Sequence, residues 1–385
     1  MDNHSIESAT QYFKELLISQ YDRISSLSQS SDWVDYSKKS SITIGICWGD
    51  GIGESISNQA QRVLEHCLQT NISTGKIIIK QIKGLTIENR ASQNKAIPDD
   101  ILEELKACDV ILKGPTTTPQ KGDKWPNIES ANVAMRRELD LFACVRPVTL
   151  PEKNIDWIFF RENTEGAYAL GSKGIHLDNE MSIDFKVISD LGAERITRLA
   201  FEYAKNNNRK KVTVVTKSNV VKATDGRFSE TVFKIAKEYE QYGITCDEWY
   251  IDIMTAKLID ENRQSEFEVF ILPNLYGDIL TDEAGQIQGG VGTAGSANIG
   301  KQYAMFEAIH GSAPRMVNEG RAQYADPSSM IKASAMLMRH IGFTKEAAAV
   351  ETALSKTSRL DQYKITGHSN GVTADTFTNA LLNEL

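Results

Sequence analysis

The sequence predicts an α/β fold in which short apolar strands end in turns and run on into helices. Three stretches predict it. Ile42–Cys47 is an apolar run that passes through Gly49-Asp50-Gly51-Ile52-Gly53 into a helix from about Glu54. Asp109–Lys113 is a second, ending in Gly114-Pro115-Thr116-Thr117-Thr118-Pro119. Val269–Leu272 is a third; Pro273 stops it and a turn is expected at Gly277, before Asp278-Ile279-Leu280-Thr281-Asp282. If that continuation is helical, Asp278 and Asp282 stand at i and i+4 on one face. A strand end leading into a helix with paired carboxylates is where open α/β sheets place ligands.

Composition sets the class. The 385 residues are 41% hydrophobic and 24% charged, a globular chain with ample core for one large or two medium domains. A net charge of −8 argues against general nucleic-acid binding, and an anionic substrate then needs local clusters of cations. The five cysteines, at 47, 67, 108, 144 and 246, are odd in number and scattered, the pattern of reduced thiols in a cytosolic-type compartment. No run reaches transmembrane length, so no membrane partner is expected. The first residues lack a cationic, apolar signal pattern, and their acids argue against a transit peptide; a cytoplasmic location is expected.

In chain order, residues 1–40 are polar, with Phe13, Leu17, Tyr21, Ile24 and Leu27 at helical spacing. They read as an amphipathic helix and a linker over 25–41, packed on the body or a partner subunit, with a floppy tail as the alternative. The glycines of 49–53 do not have the dinucleotide G-x-G-x-x-G spacing and mark a βα turn. Ile77–Ile82 is a strand, and Pro98-Asp99-Asp100 opens a helix. The hydroxyls and turn amides of 114–119 make either a polar cradle or a well-capped turn. Ser130, Asn132 and Arg136 can share a helical face. Arg146 follows a strand over Leu141–Val145, with Pro147 holding it extended, and Arg161 follows a strand over Trp157–Phe160. An arginine fork binds carboxylates bidentately, so the three suit a substrate with several carboxylates, although one such arginine alone is more often a solvated surface charge.

Tyr168, just past a polar turn, is either a general acid or simply packed. Residues 169–185 read as an irregular excursion from the sheet, Glu194–Lys205 as a helix, and Val212–Thr216 as a strand ending in Lys217-Ser218-Asn219. Ile251-Asp252-Ile253 adds a third aspartate ahead of another helix. Gly289–Gly300 reads as a bend or hinge. Ser329–Ile341 is an apolar helix with Met330, Met336 and Met338 in the core, and Thr373–Leu382 a final helix. The oxygen donors Asp278 and Asp282, with no His or Cys nearby, suit Mg²⁺ or Mn²⁺ and not zinc; the plain alternative is favourable charge at a helix N-terminus.

The motifs GDGIG, KGPTTTP, SANVAMRRELDLFACVRP, FRENTEGAY, TKSN, NLYGDILTD and EAIHGSAP follow one another over roughly residues 42–385. In that order they resemble the β-decarboxylating dehydrogenases, the isocitrate/isopropylmalate dehydrogenase family. The resemblance implies that family's α/β fold, which is not a Rossmann domain. It implies a large discontinuous α/β domain of 41–141 and 289–385, a small α/β domain of 142–288 with a dimer-forming excursion, and residues 1–40 as an extension without a counterpart. It implies that Ser130, Asn132, Arg136, Arg146 and Arg161 hold substrate carboxylates. Asp278 and Asp282 would bind Mg²⁺ or Mn²⁺ with Asp252 from the other subunit of a homodimer. Tyr168 and the other subunit's Lys217 would move protons. Thr118, Asn219, Glu307, His310, Gly311, Ser312, Ala313, Arg315 and Asp326 would line the NAD or NADP site.

The helix face before Arg136 bears on the substrate. The isopropylmalate branch carries apolar residues there; Ser130 and Asn132 suit a carboxylate, and an alkyl group against them would leave polar atoms unpaired, at about 1–3 kcal/mol. Isocitrate is therefore favoured, with homoisocitrate, one methylene longer, and 3-isopropylmalate as alternatives. After HGSAP, Arg315 and Met316 match neither the NADP pattern of Lys and Tyr nor the NAD pattern of Asp and an aliphatic residue; the TEGAY wording leans to NAD. The loop 119–130, with Trp125-Pro126, and the loop 315–326 are longer than the family pattern. The alternative of another class is a non-catalytic regulatory subunit of a hetero-oligomeric isocitrate dehydrogenase.

Overall fold

The computed structural model describes residues 3–28, 32–120, 122–171, 173–177, 181–290 and 294–385. The chain opens with α1 (Asn3–Ser28), followed by β1 (Ile42–Cys47), α2 (Gly53–Cys67), α3 (Gln69–Ser73), β2 (Ile77–Gln81), α4 (Ile87–Ser92), α5 (Asp99–Lys106), β3 (Val110–Lys113), α6 (Ala131–Glu138) and β4 (Ala143–Leu150). Next come β5 (Ile155–Glu162), β6 (Ile175–Leu177), β7 (Met181–Ile183), α7 (Asp190–Asn206), β8 (Lys211–Thr216), α8 (Thr224–Tyr239), β9 (Thr245–Tyr250), α9 (Ile251–Leu258), β10 (Val269–Leu272) and α10 (Asn274–Ile287). The last elements are β11 (Gly295–Ile299), β12 (Ala304–Ala308), α11 (Pro314–Asn318), α12 (Ser328–His340), α13 (Thr344–Ser358) and α14 (Ala374–Leu382).

These elements form two compact units. The large unit is Trp33–Val148 with Ala284–Leu385; the small unit is Met1–Asp32 with Thr149–Glu283. The large unit's strands run β2-β1-β3-β12-β11-β4, with β11 antiparallel to both neighbours and the other pairs parallel. The small unit's strands run β5-β10-β8-β9, all parallel. Parallel strands covered on both faces read as unbroken apolar runs, and every residue of β3 and β10 is buried. In the large unit α12 supplies Met330, Ile331 and Met338 to the core. In the small unit the rings of Phe159 and Phe270 stack at 4.5 Å and Trp157 meets both edge-on. Arg161 of β5 is in register with Leu272 of β10, so its guanidinium stands at the turn into α10.

Several expectations change. The strand placed at 141–145 starts at Ala143 and runs through Arg146 and Pro147 to Leu150. The ladder with β11 ends at Val145, so on that side no N–H is required of Pro147. Gly277 is no turn: α10 starts at Asn274, and Gly277 lies inside it. A Cβ at Gly277 would come within 2.5 Å of Arg161 Cγ, so glycine admits the arginine stem at the helix surface. Asp252 lies within α9, not ahead of it. The 169–185 excursion contains the antiparallel pair β6–β7, and residues 178–180 lie outside the described residues. The bend read at 289–300 is in part the strand β11, whose Gly295, Ser296 and Ala297 are small enough to be buried under α12; residues 291–293 lie outside the described residues. In α1 the buried apolar residue is Leu16, whereas Leu17 and Tyr21 face solvent. Among the described residues no helix is long and apolar enough to cross a membrane. All five cysteines are free thiols.

Candidate active site

In the large unit, Asp50 of the 49–53 turn ties three segments together. Its buried carboxylate accepts the backbone N–H of Ile87 at 2.8 Å and of Thr117 at 2.7 Å. Its own N–H donates to Pro115 O at 2.7 Å, and the N–H of Ile52 donates to Ser312 O at 3.0 Å. Burial raises the Asp50 carboxyl above its ordinary range, opposed by the two amides. Gly51 has φ +61°, and a Cβ there would lie 2.0 Å from Ser312 O. Thr117 and Ser312 hydroxyls meet at 2.9 Å.

The helix α6 starts just after Ser130, whose hydroxyl makes no capping bond. Asn132 Oδ1 accepts from the Thr116 hydroxyl at 3.3 Å. Arg136 is buried; its Nε donates to Asn298 Oδ1 at 3.2 Å and its Nη2 lies 3.5 Å from Glu307 Oε1. Glu307 also accepts from Asn298 Nδ2 at 2.8 Å and pairs with buried Lys113 at 3.2 Å. Burial works against the Glu307 charge, but Lys113 and Arg136 outweigh it and hold the carboxyl below its ordinary value. Its carboxylate therefore orients Arg136. Changing Glu307→Gln leaves two buried cations without a counter-charge and is expected to lower stability by about 3–5 kcal/mol. Urea unfolding checks this; an unchanged midpoint would refute the pairing. Arg146 is buried beside Ser296, with Nε 3.5 Å from Oγ.

Of the remaining candidates here, Thr118 and Gly311 are exposed, and His310 Nδ1 lies 3.1 Å from Gly311 O. Ala313 takes the left-handed conformation, φ 46° and ψ 58°, uncommon for alanine, ahead of Pro314 at the start of α11. Arg315 projects into solvent and donates to Glu319 at 2.7 Å. Glu319 is clasped by Arg315 and then Arg321, which bring its carboxyl down to about 2. Asp326 Oδ1 accepts the N–H of Ser328 at 2.9 Å, satisfying a free amide at the start of α12.

In the small unit, Arg161 is almost fully buried. Its Nε and Nη2 donate to Asn274 Oδ1 at 3.0 and 2.7 Å, and its Nη1 forms an ion pair with Asp278. The Tyr168 hydroxyl donates to Asp278 Oδ2 at 3.0 Å, with the Arg161 guanidinium 5.7 Å from its ring centre. Asp278 thus faces a cation and a phenol, with its side chain 38% exposed. Asp282 follows one turn on and is exposed. Lys217 pairs with Asp252 at 2.5 Å, and the Lys217 hydrogen bond is the main cause of a lowered Asp252 carboxyl. Asn219 is exposed two residues on.

Asp278 and Asp282 are hard oxygen donors on one face of α10, a set that fits a hard divalent cation. Among the described residues no three His, Cys, Asp or Glu side chains gather into a metal-holding group, so Asp252 does not join them within one chain.

The sequence reading missed the supports. Buried Asp225 accepts the N–H of Lys217 and the Tyr276 hydroxyl, each at 2.9 Å, and pairs with Lys186. Asn274 receives Arg161 and donates through Nδ2 to the carbonyls of Asn163 and Glu165, both at 3.0 Å. Neither residue looks different from a capping or surface polar group until its partners, far along the chain, are known.

A model of the isocitrate/isopropylmalate dehydrogenase family matches residues 43–381. An isocitrate dehydrogenase [NADP] of Rickettsia prowazekii (strain Madrid E) is 39% identical over 324 residues, 82% of this chain and 62% of that protein. This chain therefore spans 62% of the length of that relative. A homoisocitrate dehydrogenase of Methanocaldococcus jannaschii is 36% identical over 322 residues, 80% of this chain and 87% of that one. The crystal structure of isocitrate dehydrogenase from Methylococcus capsulatus superposes with a TM-score of 0.78 at 32% identity, covering 89% of this chain and 99% of that one. By its motif order, its sheet and these matches, the chain belongs to the isocitrate/isopropylmalate dehydrogenase family.

Proposed function

We propose that the protein oxidises isocitrate and decarboxylates it to 2-oxoglutarate and CO₂. The observation that carries this reading is the contact of Asp278 with both Arg161 and Tyr168. It sets a carboxylate, a carboxylate-binding fork and a proton donor side by side. Arg136, Arg146 and Arg161 hold substrate carboxylates, with Ser130 and Asn132 hydrogen-bonding to one of them. Their burial and fixed partners mean that little side-chain freedom is lost when substrate binds. Tyr168 returns a proton to carbon after CO₂ leaves. Lys217 takes the hydroxyl proton.

Asp278 and Asp282 would hold Mg²⁺ or Mn²⁺, with Asp252 of a second copy as third ligand in a homodimer; Lys217 comes from that copy too, since it is paired with Asp252. A divalent cation there supplies positive charge where substrate oxygens gain negative charge. A nicotinamide supplies the hydride acceptor. Thr118, Asn219, Glu307, His310, Gly311, Ser312, Ala313 and Asp326 form or support its site.

NAD⁺ is the proposed acceptor. Arg315, the one candidate for a 2′-phosphate after the HGSAP motif, carries the Glu319 carboxylate against it, and that charge repels a phosphate. The name of the Rickettsia relative points instead to NADP⁺. Initial rates with isocitrate and Mn²⁺ decide the matter: a higher kcat/KM with NAD⁺ is expected. Glu319→Gln should then shift the ratio toward NADP⁺ by about 2–10-fold, because one repulsive charge is worth on the order of 1 kcal/mol at an exposed site. A parent preference for NADP⁺ would assign Arg315 to the phosphate. The Methanocaldococcus relative favours homoisocitrate as second reading, and that substrate belongs in the same panel.

A further inference from the structure

The span matched by the family starts at residue 43, whereas α1 lies before it and packs within the small unit. Phe13 of α1 stacks on Phe185 with ring centres 5.0 Å apart. Ten residues on, Arg23 reaches into the interior. Its Nη2 donates to Glu165 Oε1 at 2.7 Å, and the Glu165 side chain is fully buried. Its Nε donates to Gln20 Oε1 at 3.0 Å.

Glu165 stands between the strand that ends at Glu162 and Tyr168. The segment joining them is anchored at each step. Glu162 accepts the N–H groups of Thr164 and Glu165 and the Thr164 hydroxyl. Glu165 accepts the N–H of Ser189 at 2.8 Å and its hydroxyl at 2.6 Å. Gly166 pairs in both directions with Val187, at 2.7 and 3.1 Å. Two residues later the Tyr168 hydroxyl meets Asp278.

This arrangement buries two carboxylates side by side. Burial first, and then the Glu165 charge, push the Glu162 carboxyl upward. The cations facing the pair come from two elements. α7 brings Arg195, 4.0 Å from Glu162 and donating to the Thr164 hydroxyl at 2.8 Å. α1 brings Arg23 to Glu165. Asn274, which holds the Glu165 carbonyl, is neutral. Without Arg23, Glu165 keeps the neutral Ser189 donors beside the neighbouring negative charge, and the segment leading to Tyr168 loses its charged anchor at Glu165.

We propose that Arg23 is a positioning residue for Tyr168: through its ion pair with Glu165 it holds the 162–168 segment where the tyrosine hydroxyl reaches the reaction centre. The inference rests on the reading of Tyr168 as proton donor. It makes the helix before the family-matched span a working part of the enzyme.

The test compares the parent with Arg23→Gln and Arg23→Lys in the full-length chain, using isocitrate, Mn²⁺ and the preferred nicotinamide. Arg23→Gln is expected to lower kcat about tenfold or more, since an ångström of misplacement costs up to 10²-fold. KM for isocitrate should stay within about twofold, because the carboxylate-binding arginines are untouched. Only one nitrogen of the fork touches Glu165, so lysine can replace it and Arg23→Lys should recover most of kcat. A parental kcat in Arg23→Gln, a change confined to KM, or no recovery with lysine overturns the proposal. Should Arg23→Gln alone not fold, Arg23→Gln/Glu165→Gln is read in its place, since it leaves Glu165 uncharged. A lowered kcat at unchanged KM then supports the proposal, and a parental kcat overturns it. A parent that does not turn over isocitrate at all defeats the functional reading instead, which separates the two failures.

Discussion

Changing Asp278→Asn lowers kcat/KM for isocitrate by roughly 10³-fold, the equivalent of about 4 kcal/mol of lost transition-state stabilisation. The carboxylate is half-exposed at the start of α10 and already carries two partners, Arg161 and Tyr168. An asparagine keeps the size and one acceptor oxygen, so the tyrosine contact survives while the charge that would bind a divalent cation is lost. Arg161 then has no counter-charge from this position, though Asn274 still accepts two of its N–H groups. The expected signature is a raised requirement for Mn²⁺, with the folded state little changed by circular dichroism. Unreduced turnover would show that the cation is held elsewhere; a parent chain with no turnover at all is the result that would bring forward the reading of the chain as a regulatory subunit.

Tyr168→Phe is the second large effect. A positioned general acid contributes about 10²–10⁴-fold, so kcat is expected to fall in that range. KM should change little, since the phenyl ring keeps its place beside Arg161 and the carboxylate-binding arginines are untouched. The informative companion measurement is the fate of substrate. If protonation at carbon is the step impaired, CO₂ release and hydride transfer in the first turnover stay close to the parent while steady-state product formation slows. A fall of less than tenfold would assign the proton to another group.

Much of this was legible in the chain, for physical reasons that differ from element to element. The strands β1, β3 and β10 were readable because a parallel strand covered on both faces is an unbroken apolar run. Asp278 and Asp282 were readable because i, i+4 spacing puts carboxylates on one helical face whatever the context. Gly277 misled because glycine weakens helices, and the reason for it, the stem of Arg161, is supplied from a strand more than a hundred residues earlier. Pro147 misled in the same way: the ladder with β11 ends at Val145, so on that side the strand can contain a proline. Asp225 left no sequence signal, and Asn274, Glu162 and Glu165 showed only as letters within the NLYGDILTD and FRENTEGAY motifs, because their importance lies in being buried with distant partners. The stripe in α1 showed that a helix was there and placed Phe13, which stacks on Phe185, but missed Leu16 and Arg23 and assigned Leu17 and Tyr21 to a face that is in solvent.

The turn around Asp50 separates two kinds of sequence constraint. One carboxylate, its own amide and that of Ile52 set the course of the chain at Pro115–Thr117, at Ile87 and at Ser312. Those fastenings are made to backbone atoms, so they survive almost any exchange of side chains along the loops they hold. Arg315 in α11 and Glu319 just after it have side chains 87% and 39% exposed and are tied mainly to each other and to Arg321. On the proposed reading of Arg315 and Glu319, substitutions at those two surface positions are expected to alter the nucleotide preference and leave the turn intact, while a change at Asp50 disturbs three loops at once.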